Sequence, residues 1–190
     1  ELIAQYGADA LRFGTMRGAP LGQDVLFDEK DVELGRNFCN KLWNASRFAL
    51  TMLEAAPTQH SAPSTQHSPS LPDRWILSRL ATAVEQINAS LKNYEYSDYA
   101  TALYDLMWRD FCDWYLEAIK PTIAANTHQQ AVLAHTFESI VRLLHPVAPF
   151  ITEAIWERLK HIETAPITGV ELAPSRKGGV LATAGWPRVE

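Results

Sequence analysis

The chain has 190 residues, of which 47% are hydrophobic and 21% are charged. These values are typical of a soluble globular protein that buries a sizeable core, and they predict one main domain. The net charge of -5 argues against a surface that attracts nucleic acid everywhere, so nucleic-acid binding would need a local patch. No apolar run approaches the roughly 18 to 20 residues of a membrane helix, and no signal-peptide pattern opens the chain.

The two cysteines indicate the cellular compartment of the protein, and the first residue indicates whether the chain is part of a longer one. Cys39 and Cys112 lie in apolar helical patterns, with no CxxC pair and no His at ligand spacing, so we expect reduced core thiols and a cytoplasmic protein. The chain starts at Glu1, inside a helical pattern, and not at Met. We therefore expect a piece of a longer protein.

Apolar residues that recur at intervals of three and four predict an all-α fold, an antiparallel helix bundle. The predicted helices cover residues 2–6, 8–13, 29–54, 73–93, 97–119, 129–145 and 151–161. Two apolar stripes in the helix over 97–119 indicate that it is central, and the better of these stripes includes Trp114.

Two segments depart from the helical pattern. Residues 56–72 contain the sequence Thr-Gln-His-Ser twice among Ser and Pro, which predicts a flexible linker. Near the end of the chain, residues 170–173 and 180–184 flank a Pro-Ser-Arg-Lys-Gly-Gly turn. This pattern predicts a small C-terminal β-hairpin packed on the end of the bundle.

The predicted helix over 29–54 has two incompatible faces. At about 100° per residue, one face is an apolar stripe that is typical of a core contact. That stripe consists of Gly35, Phe38, Leu42, Ala45, Ala49 and Met52. The opposite face consists of Arg36, Asn40, Trp43 and Arg47, with Asn44 beside them and Lys41 further round.

The composition of this outward face is unusual. A solvated helix face more often pairs Glu with Lys, but residues 36–47 contain three cations, three Asn, an outward Trp and no acid. Such a face suits RNA, because cations meet phosphates, Asn bonds base edges and Trp stacks on unpaired bases. The alternative is that Trp43 packs against a neighbouring helix and that the cations only solubilise the surface.

The motifs of common catalytic and metal sites are absent from the sequence. It has no Gly-rich phosphate loop, no HExxH and no CxxC pair, and neither His135 nor His145 follows a Glu at the spacing of a di-metal bundle. The carboxylates of Asp105, Asp110, Asp113 and Glu117 follow a helical surface spacing, which favours a solvated face over an acid/base pair. The residues themselves therefore predict a binding or scaffolding module without catalytic residues or a metal.

Several segments carry a family resemblance. Tyr6–Phe13, Asp24–Asp28 and Arg36–Phe48 resemble the region that follows the catalytic domain in class I aminoacyl-tRNA synthetases, most closely in the valyl-tRNA synthetases. Phe111–Glu117 and Leu144–Glu153 are similar to the same family. These segments are long, occur in the family's order and are spread over nearly the whole chain.

The resemblance implies an anticodon-binding helical bundle over residues 28–162, with a connecting segment over 1–27 and an extension over 163–190. The full enzymes of this family use ATP and Mg to activate an amino acid, here valine, and transfer it to their tRNA. The HIGH and KMSKS signatures that bind ATP are missing from this sequence, as is the editing domain. We therefore expect no cofactor in this chain and no catalysis by it alone.

The resemblance also implies a binding site. In related synthetases a polar residue and an Arg one helical turn apart on the first bundle helix read anticodon bases, and the matching positions are Trp43 and Arg47. The expected partners are the anticodon stem-loop of tRNA(Val) and the enzyme's own catalytic domain. The main candidate residues are Arg36, Asn40, Lys41, Trp43, Asn44 and Arg47. Further candidates, for a second wall of the groove, are Arg109, Trp114 and Lys120.

Two alternatives stay open from the sequence. The chain could be the equivalent domain of an isoleucyl- or leucyl-tRNA synthetase, although the Asn-Lys-Leu-Trp-Asn-Ala run favours the valyl enzymes. It could instead be a structural or protein-interaction bundle, in which case Trp43 should be buried against another helix.

Overall fold

The computed structural model describes residues 1–24, 27–54, 69–162, 167 and 179–188. Within these ranges all regular structure is helical, as the apolar periodicity predicts. The α-helices are α1 (Leu2–Tyr6), α2 (Ala8–Arg17), α3 (Glu29–Glu54), α4 (Leu71–Lys92), α5 (Tyr96–Tyr104), α6 (Leu116–Ile119), α7 (Thr127–Leu144) and α8 (Pro149–Leu159). A π-helical segment (Asp105–Tyr115) joins α5 to α6, and 3-10 turns occur at Ile123–Ala125 and Leu181–Thr183.

The long helix α3 has the bounds and the core face that its sequence predicts. The predicted stripe residues that are buried are Gly35, Phe38, Leu42, Ala45 and Ala49. Met52 is only partly buried, but it packs against the core. Phe38 also stacks on Phe13 of α2, with ring centroids 4.0 Å apart. Burial of this face leaves the opposite side of α3 turned towards solvent.

Two glycines let the backbones of α2 and α3 come into direct contact. A Cβ atom at Gly35 would lie 2.2 Å from the carbonyl oxygen of Ala10, and one at Gly14 would lie 2.2 Å from the carbonyl oxygen of Asp31. Both distances are far shorter than a van der Waals contact, so only glycine allows this approach. The contact therefore sets how α3 sits against α2.

Polar groups of α2 also hold the corner between α7 and α8. The Asp9 carboxylate accepts hydrogen bonds from the backbone N–H groups of Ile151 (2.7 Å) and Phe150 (3.3 Å), and thus caps α8. Arg12 donates to the carbonyl oxygens of Pro146 (2.8 Å) and Val147 (3.0 Å). Through these bonds α2 connects α3 to the last part of the bundle.

Helix α4 begins at Leu71, two residues earlier than predicted. Ser70 is its N-cap: the Asp73 backbone N–H donates to the Ser70 hydroxyl, and the Ser70 N–H donates to the Asp73 carboxylate at 3.1 Å. This capping box satisfies backbone donors that the first helical turn leaves free. The rest of the predicted linker over 56–72 lies almost entirely outside the described residues.

The central helix runs from α5 through α6 without a break, as predicted. Its middle part is bonded from residue i to i+5, so each hydrogen-bonded turn holds one residue more than in an α-helix. The buried side chains of this part are Leu106, Met107, Phe111, Cys112 and Tyr115. The prediction that Trp114 belongs to the core stripe is wrong: the wider turn shifts the register, and Trp114 is 69% exposed.

Helix α4, the central helix and α7 run antiparallel in succession. Arg79 of α4 forms an ion pair with Asp110 at 2.7 Å, and the Tyr115 hydroxyl donates to the Asp73 carboxylate at 3.1 Å. Residue numbers thus rise along the central helix as they fall along α4, and contacts with α7 show the same inversion. The predicted antiparallel arrangement is confirmed for α4, the central helix and α7.

The predicted C-terminal β-hairpin is wrong. Residues 170–178, which hold its first strand and most of its turn, lie outside the described ranges, and the described residues contain no strand. The expected second strand is a 3-10 turn, Leu181–Thr183, because the Leu181 N–H donates to the Glu153 carboxylate (3.0 Å), which caps the turn. Trp156 donates to the Gly179 carbonyl at 3.0 Å, so side chains of α8 replace the partner strand.

Both cysteines are free thiols in or near the core. Cys112 is buried and Cys39 is half-buried, and burial raises the pKa of each to about 12. The thiolate is therefore scarce at neutral pH, and a structural role fits both residues. No helix of the described ranges is long and apolar enough to cross a membrane.

Replacing Gly35 by Ala should destabilise the bundle. Ala favours a helix interior over Gly by up to about 1 kcal/mol, but the new Cβ would meet a backbone oxygen at 2.2 Å, and overpacking costs typically about 1–3 kcal/mol. Because a backbone atom cannot move aside easily, we expect a net loss of about 1 kcal/mol or more in the free energy of unfolding. Urea denaturation measures this loss.

Gly185→Ala is the control for this substitution, since a Cβ there meets nothing within 4 Å. Unchanged stability of Gly35→Ala would contradict the close contact between α2 and α3.

His135 on α7 should make the protein less stable in mild acid. Burial and the neighbouring Arg142 lower the pKa of His135 from 6.5 to about 4. The unfolded chain therefore takes up this proton first, and stability falls as the pH decreases from about 6.5 to about 4, by at most about 3 kcal/mol. Urea denaturation over this range should show a steeper fall for the unsubstituted chain than for His135→Gln, and parallel curves would contradict the assigned pKa.

Candidate nucleic-acid interface

The outward face predicted on α3 is exposed. Asn40, Trp43, Asn44 and Arg47, which we call the α3 row, are all exposed. Each lies three or four residues from two others of the set, so they are neighbours on one face of the helix. Trp43 is 45% exposed, whereas the alternative of a structural bundle requires it to be buried. The row therefore presents an aromatic ring, two amides and a guanidinium to solvent.

The polar groups of the α3 row have no competing partners in the described part of the chain. No carboxylate there lies within ion-pair distance of Arg47, and the side-chain amides of Asn40 and Asn44 make no hydrogen bond. Their donors and acceptors are consequently available to a ligand. Arg47 contributes a positive charge that no described carboxylate offsets.

Arg36, at the start of the face, has partners of its own. It forms an ion pair with Glu33 at 3.3 Å, and its guanidinium lies 5.3 Å from the centroid of the Tyr6 ring. The Tyr6 hydroxyl in turn donates to Glu29 at 2.8 Å, and this hydrogen bond raises the pKa of Tyr6. A ligand that binds Arg36 therefore competes with the carboxylate of Glu33 and the ring of Tyr6.

Lys41 points to the neighbouring helix. Its ammonium donates to the Asp113 carboxylate at 2.8 Å and lies 5.1 Å from the centroid of the Trp108 ring. The hydrogen bond to Asp113 raises the pKa of Lys41, because it stabilises the protonated ammonium. The positive charge of Lys41 is therefore offset by the carboxylate of Asp113.

The second wall predicted for the groove is also charge-neutral. Arg109 pairs with Asp105 at 3.2 Å, and Lys120 pairs with Glu117. The Lys120 ammonium lies 5.6 Å from the centroid of the Phe48 ring, which brings this part of the wall next to α3. The wall also carries Trp114, whose exposed ring can stack on a planar ligand.

The acids that offset these cations are the feature that sequence reasoning missed. Asp113 and Glu117 are exposed, as their spacing predicts, whereas Asp105 and Asp110 are half-buried. The pairs of Asp105 with Arg109 and of Glu117 with Lys120 have local helical spacing, but nothing in the spacing identifies the partner of Asp113. Lys41 and Asp113 are 72 residues apart, so no local pattern links them. The described residues contain no group of three or more His, Cys, Asp or Glu that could hold a metal ion.

The geometry thus fits a ligand with unpaired planar groups and some negative charge, such as an RNA loop. The family model described as "Anticodon-binding domain of tRNA ligase" matches residues 73–190, which is more than half of the chain. The chain belongs to this family.

Curated relatives of this anticodon-binding domain are named as valine-tRNA ligases. The relative from Symbiobacterium thermophilum is 43% identical over 175 residues, a match that covers 87% of this chain and 19% of the relative. The relative from Oceanobacillus iheyensis is 42% identical over 194 residues, which cover 100% of this chain and 20% of the relative. The chain spans about a fifth of the length of these relatives.

A solved structure has the same fold. It is the ternary complex of Agrobacterium radiobacter K84 agnB2 LeuRS with tRNA and LeuAMS, matched with a TM-score of 0.69 over 98% of this chain and 20% of that chain. The sequence identity is 18%. At this identity the likeness establishes the fold of the anticodon-binding domain and nothing further.

Truncating the α3 row should leave the anticodon-binding domain folded. Asn40→Ala, Asn44→Ala and Arg47→Ala remove exposed groups without described partners, so each should change the free energy of unfolding by less than about 0.5 kcal/mol. Urea denaturation tests this, with Leu42→Ala as the contrast, because Leu42 is fully buried on the same helix and should cost about 2–5 kcal/mol. A comparable loss in a row variant would mean that the side chain supports the fold and not a ligand.

Proposed function

We propose that this anticodon-binding domain binds the anticodon stem-loop of tRNA(Val), and that it serves a valine-tRNA ligase that attaches valine with ATP. The observation that carries the proposal is the α3 row, where free amides, an exposed Trp43 and the uncompensated Arg47 lie side by side. RNA loops are recognised by this combination, because their bases are unstacked and expose their edges.

The roles follow from the chemistry of each side chain. Arg47, Asn40 and Asn44 would hydrogen-bond to base edges, and Trp43 would stack on a splayed base. The paired cations would lie beside the phosphates and would bind them to the extent that a phosphate oxygen displaces the paired carboxylate. These phosphate-binding residues would be Arg36, Lys41, Arg109 and Lys120. Trp114 would provide a second stacking surface.

The enzyme-level part of the proposal rests on the relatives. Because the match covers only about a fifth of each valine-tRNA ligase, ATP, Mg and the amino acid would bind in the remaining parts of such an enzyme. The anticodon-binding domain would supply tRNA recognition and contact the catalytic domain. We place this activity in the cytoplasm, where the free thiols of Cys39 and Cys112 fit a reducing environment.

The comparisons support a valine enzyme over a leucine enzyme. The two bacterial valine-tRNA ligases are 42–43% identical to this chain, whereas the LeuRS structure is 18% identical. The alternative of a purely structural bundle is disfavoured by the exposure of Trp43.

Arg47→Ala should weaken binding of a valine-anticodon hairpin more than binding of a hairpin of equal length with an exchanged anticodon. A lost base contact costs about 1–3 kcal/mol, so we expect about a ten-fold or greater loss for the valine hairpin and a smaller loss for the other. Fluorescence anisotropy of labelled hairpins at two salt concentrations measures both.

The matched control for this experiment is Arg188→Ala. Arg188 is exposed, forms no ion pair among the described residues and lies in the C-terminal segment instead of on α3. Its replacement therefore removes the same charge as Arg47→Ala from a different part of the chain. Equal losses on both hairpins would make Arg47 a phosphate contact. The proposed function fails if the unsubstituted chain does not prefer the valine hairpin.

A further inference from the structure

The ion pair between Lys41 and Asp113 differs from the others around the α3 row. Arg36, Arg109 and Lys120 pair with acids three or four residues away along the chain. Lys41 instead pairs with an acid on the π-helical segment, 72 residues away. Among the described residues, Asp113 is the carboxylate that a different helix brings to a cation of α3.

This pair is accessible to a ligand. The side chains of Lys41 and Asp113 are 35% and 44% exposed, and the centroid of the Trp108 ring lies 5.1 Å from the ammonium. Exposed ion pairs contribute only about 0–1 kcal/mol to stability. A phosphate could therefore replace the carboxylate at little cost to the fold, and the pair is not needed to keep α3 in place.

The exchange nevertheless gains little for RNA binding. A free cation that meets a phosphate releases a counterion from the RNA, and this release is the main source of sequence-independent affinity. When Lys41 changes partner, one anion replaces another, and the charge of Asp113 is left close to the RNA backbone. Lys41 would thus add less affinity than an unpaired cation such as Arg47.

We propose that Asp113 limits the RNA affinity of this surface by occupying the ammonium of Lys41, so that contacts with unpaired bases dominate binding. The inference rests on the proposed function, because it concerns the same RNA surface. It makes Asp113 a positioning residue, which acts on RNA through Lys41 and does not bind RNA itself.

Asp113→Asn tests this inference, because the amide has the size of the carboxylate but no charge. Freeing Lys41 should add about one phosphate contact, which steepens the slope of log affinity against log salt by about 0.7 to 0.9. At about 0.1 M salt this corresponds to roughly five- to eight-fold tighter binding of both hairpins, with their affinity ratio unchanged. Glu157→Gln is the matched control: it removes the same charge from α8, where Glu157 pairs with Lys160 at 2.9 Å, and should change neither slope nor affinity.

The gain must depend on Lys41. In the Lys41→Gln background, Asp113→Asn should give no tighter binding; a gain that persists there would show long-range repulsion by Asp113 and overturn the proposal. An unchanged salt slope in Asp113→Asn would overturn it as well. A loss of preference for the valine hairpin in Asp113→Asn would also overturn the proposal, since it would show that the ion pair maintains the conformation of the α3 row.

The two proposals fail in different ways. Equal binding of both hairpins by the unsubstituted chain would contradict anticodon reading, while the slopes would still show whether Asp113 masks Lys41. Preference for the valine hairpin with an unchanged slope in Asp113→Asn would contradict only the role of Asp113. Absence of binding by every variant would contradict both.

Discussion

The backbone contact between α2 and α3 at Gly14 and Gly35 is the constraint on which the candidate interface depends. It removes the side-chain layer that normally separates two helices, so the rotation of α3 about its axis is set by backbone atoms and not by adaptable side chains. Because α2 also caps α8 through Asp9, the same helix positions both α3 and α8. The α3 row faces solvent as a consequence of this fixed rotation.

The distribution of charge explains how a chain of net charge -5 can present an RNA-binding surface. Its acids are not spread away from the candidate cations but stand next to them, as with Asp113 at Lys41 and Glu33 at Arg36. The positive charge of Arg47 is not offset, because no carboxylate of the described residues pairs with it. A surface of this kind attracts polyanions weakly and favours ligands that also offer unpaired bases.

Sequence reasoning was reliable wherever one local pattern decided the outcome. The bounds of α3, its two faces and the thiols of Cys39 and Cys112 follow from helical periodicity, and the structure confirms them. It failed at Trp114, because a π-helical turn changes the period that the prediction assumed. It also failed at the C-terminal hairpin, where Glu153 and Trp156 of α8 bind a segment whose alternating pattern suggested strands.

The sequence by itself determined the helical class, the chemistry of the α3 row and the family resemblance, because each of these depends on patterns among residues that are close together along the chain. For Lys41 and Arg47, only the tertiary structure decided which of the two cations is free. Ion pairing depends on which helices become neighbours: Lys41 meets a carboxylate 72 residues away, and no carboxylate of the described residues pairs with Arg47. Helix packing, which no local pattern encodes, therefore distinguishes the two cations that the sequence placed on one face.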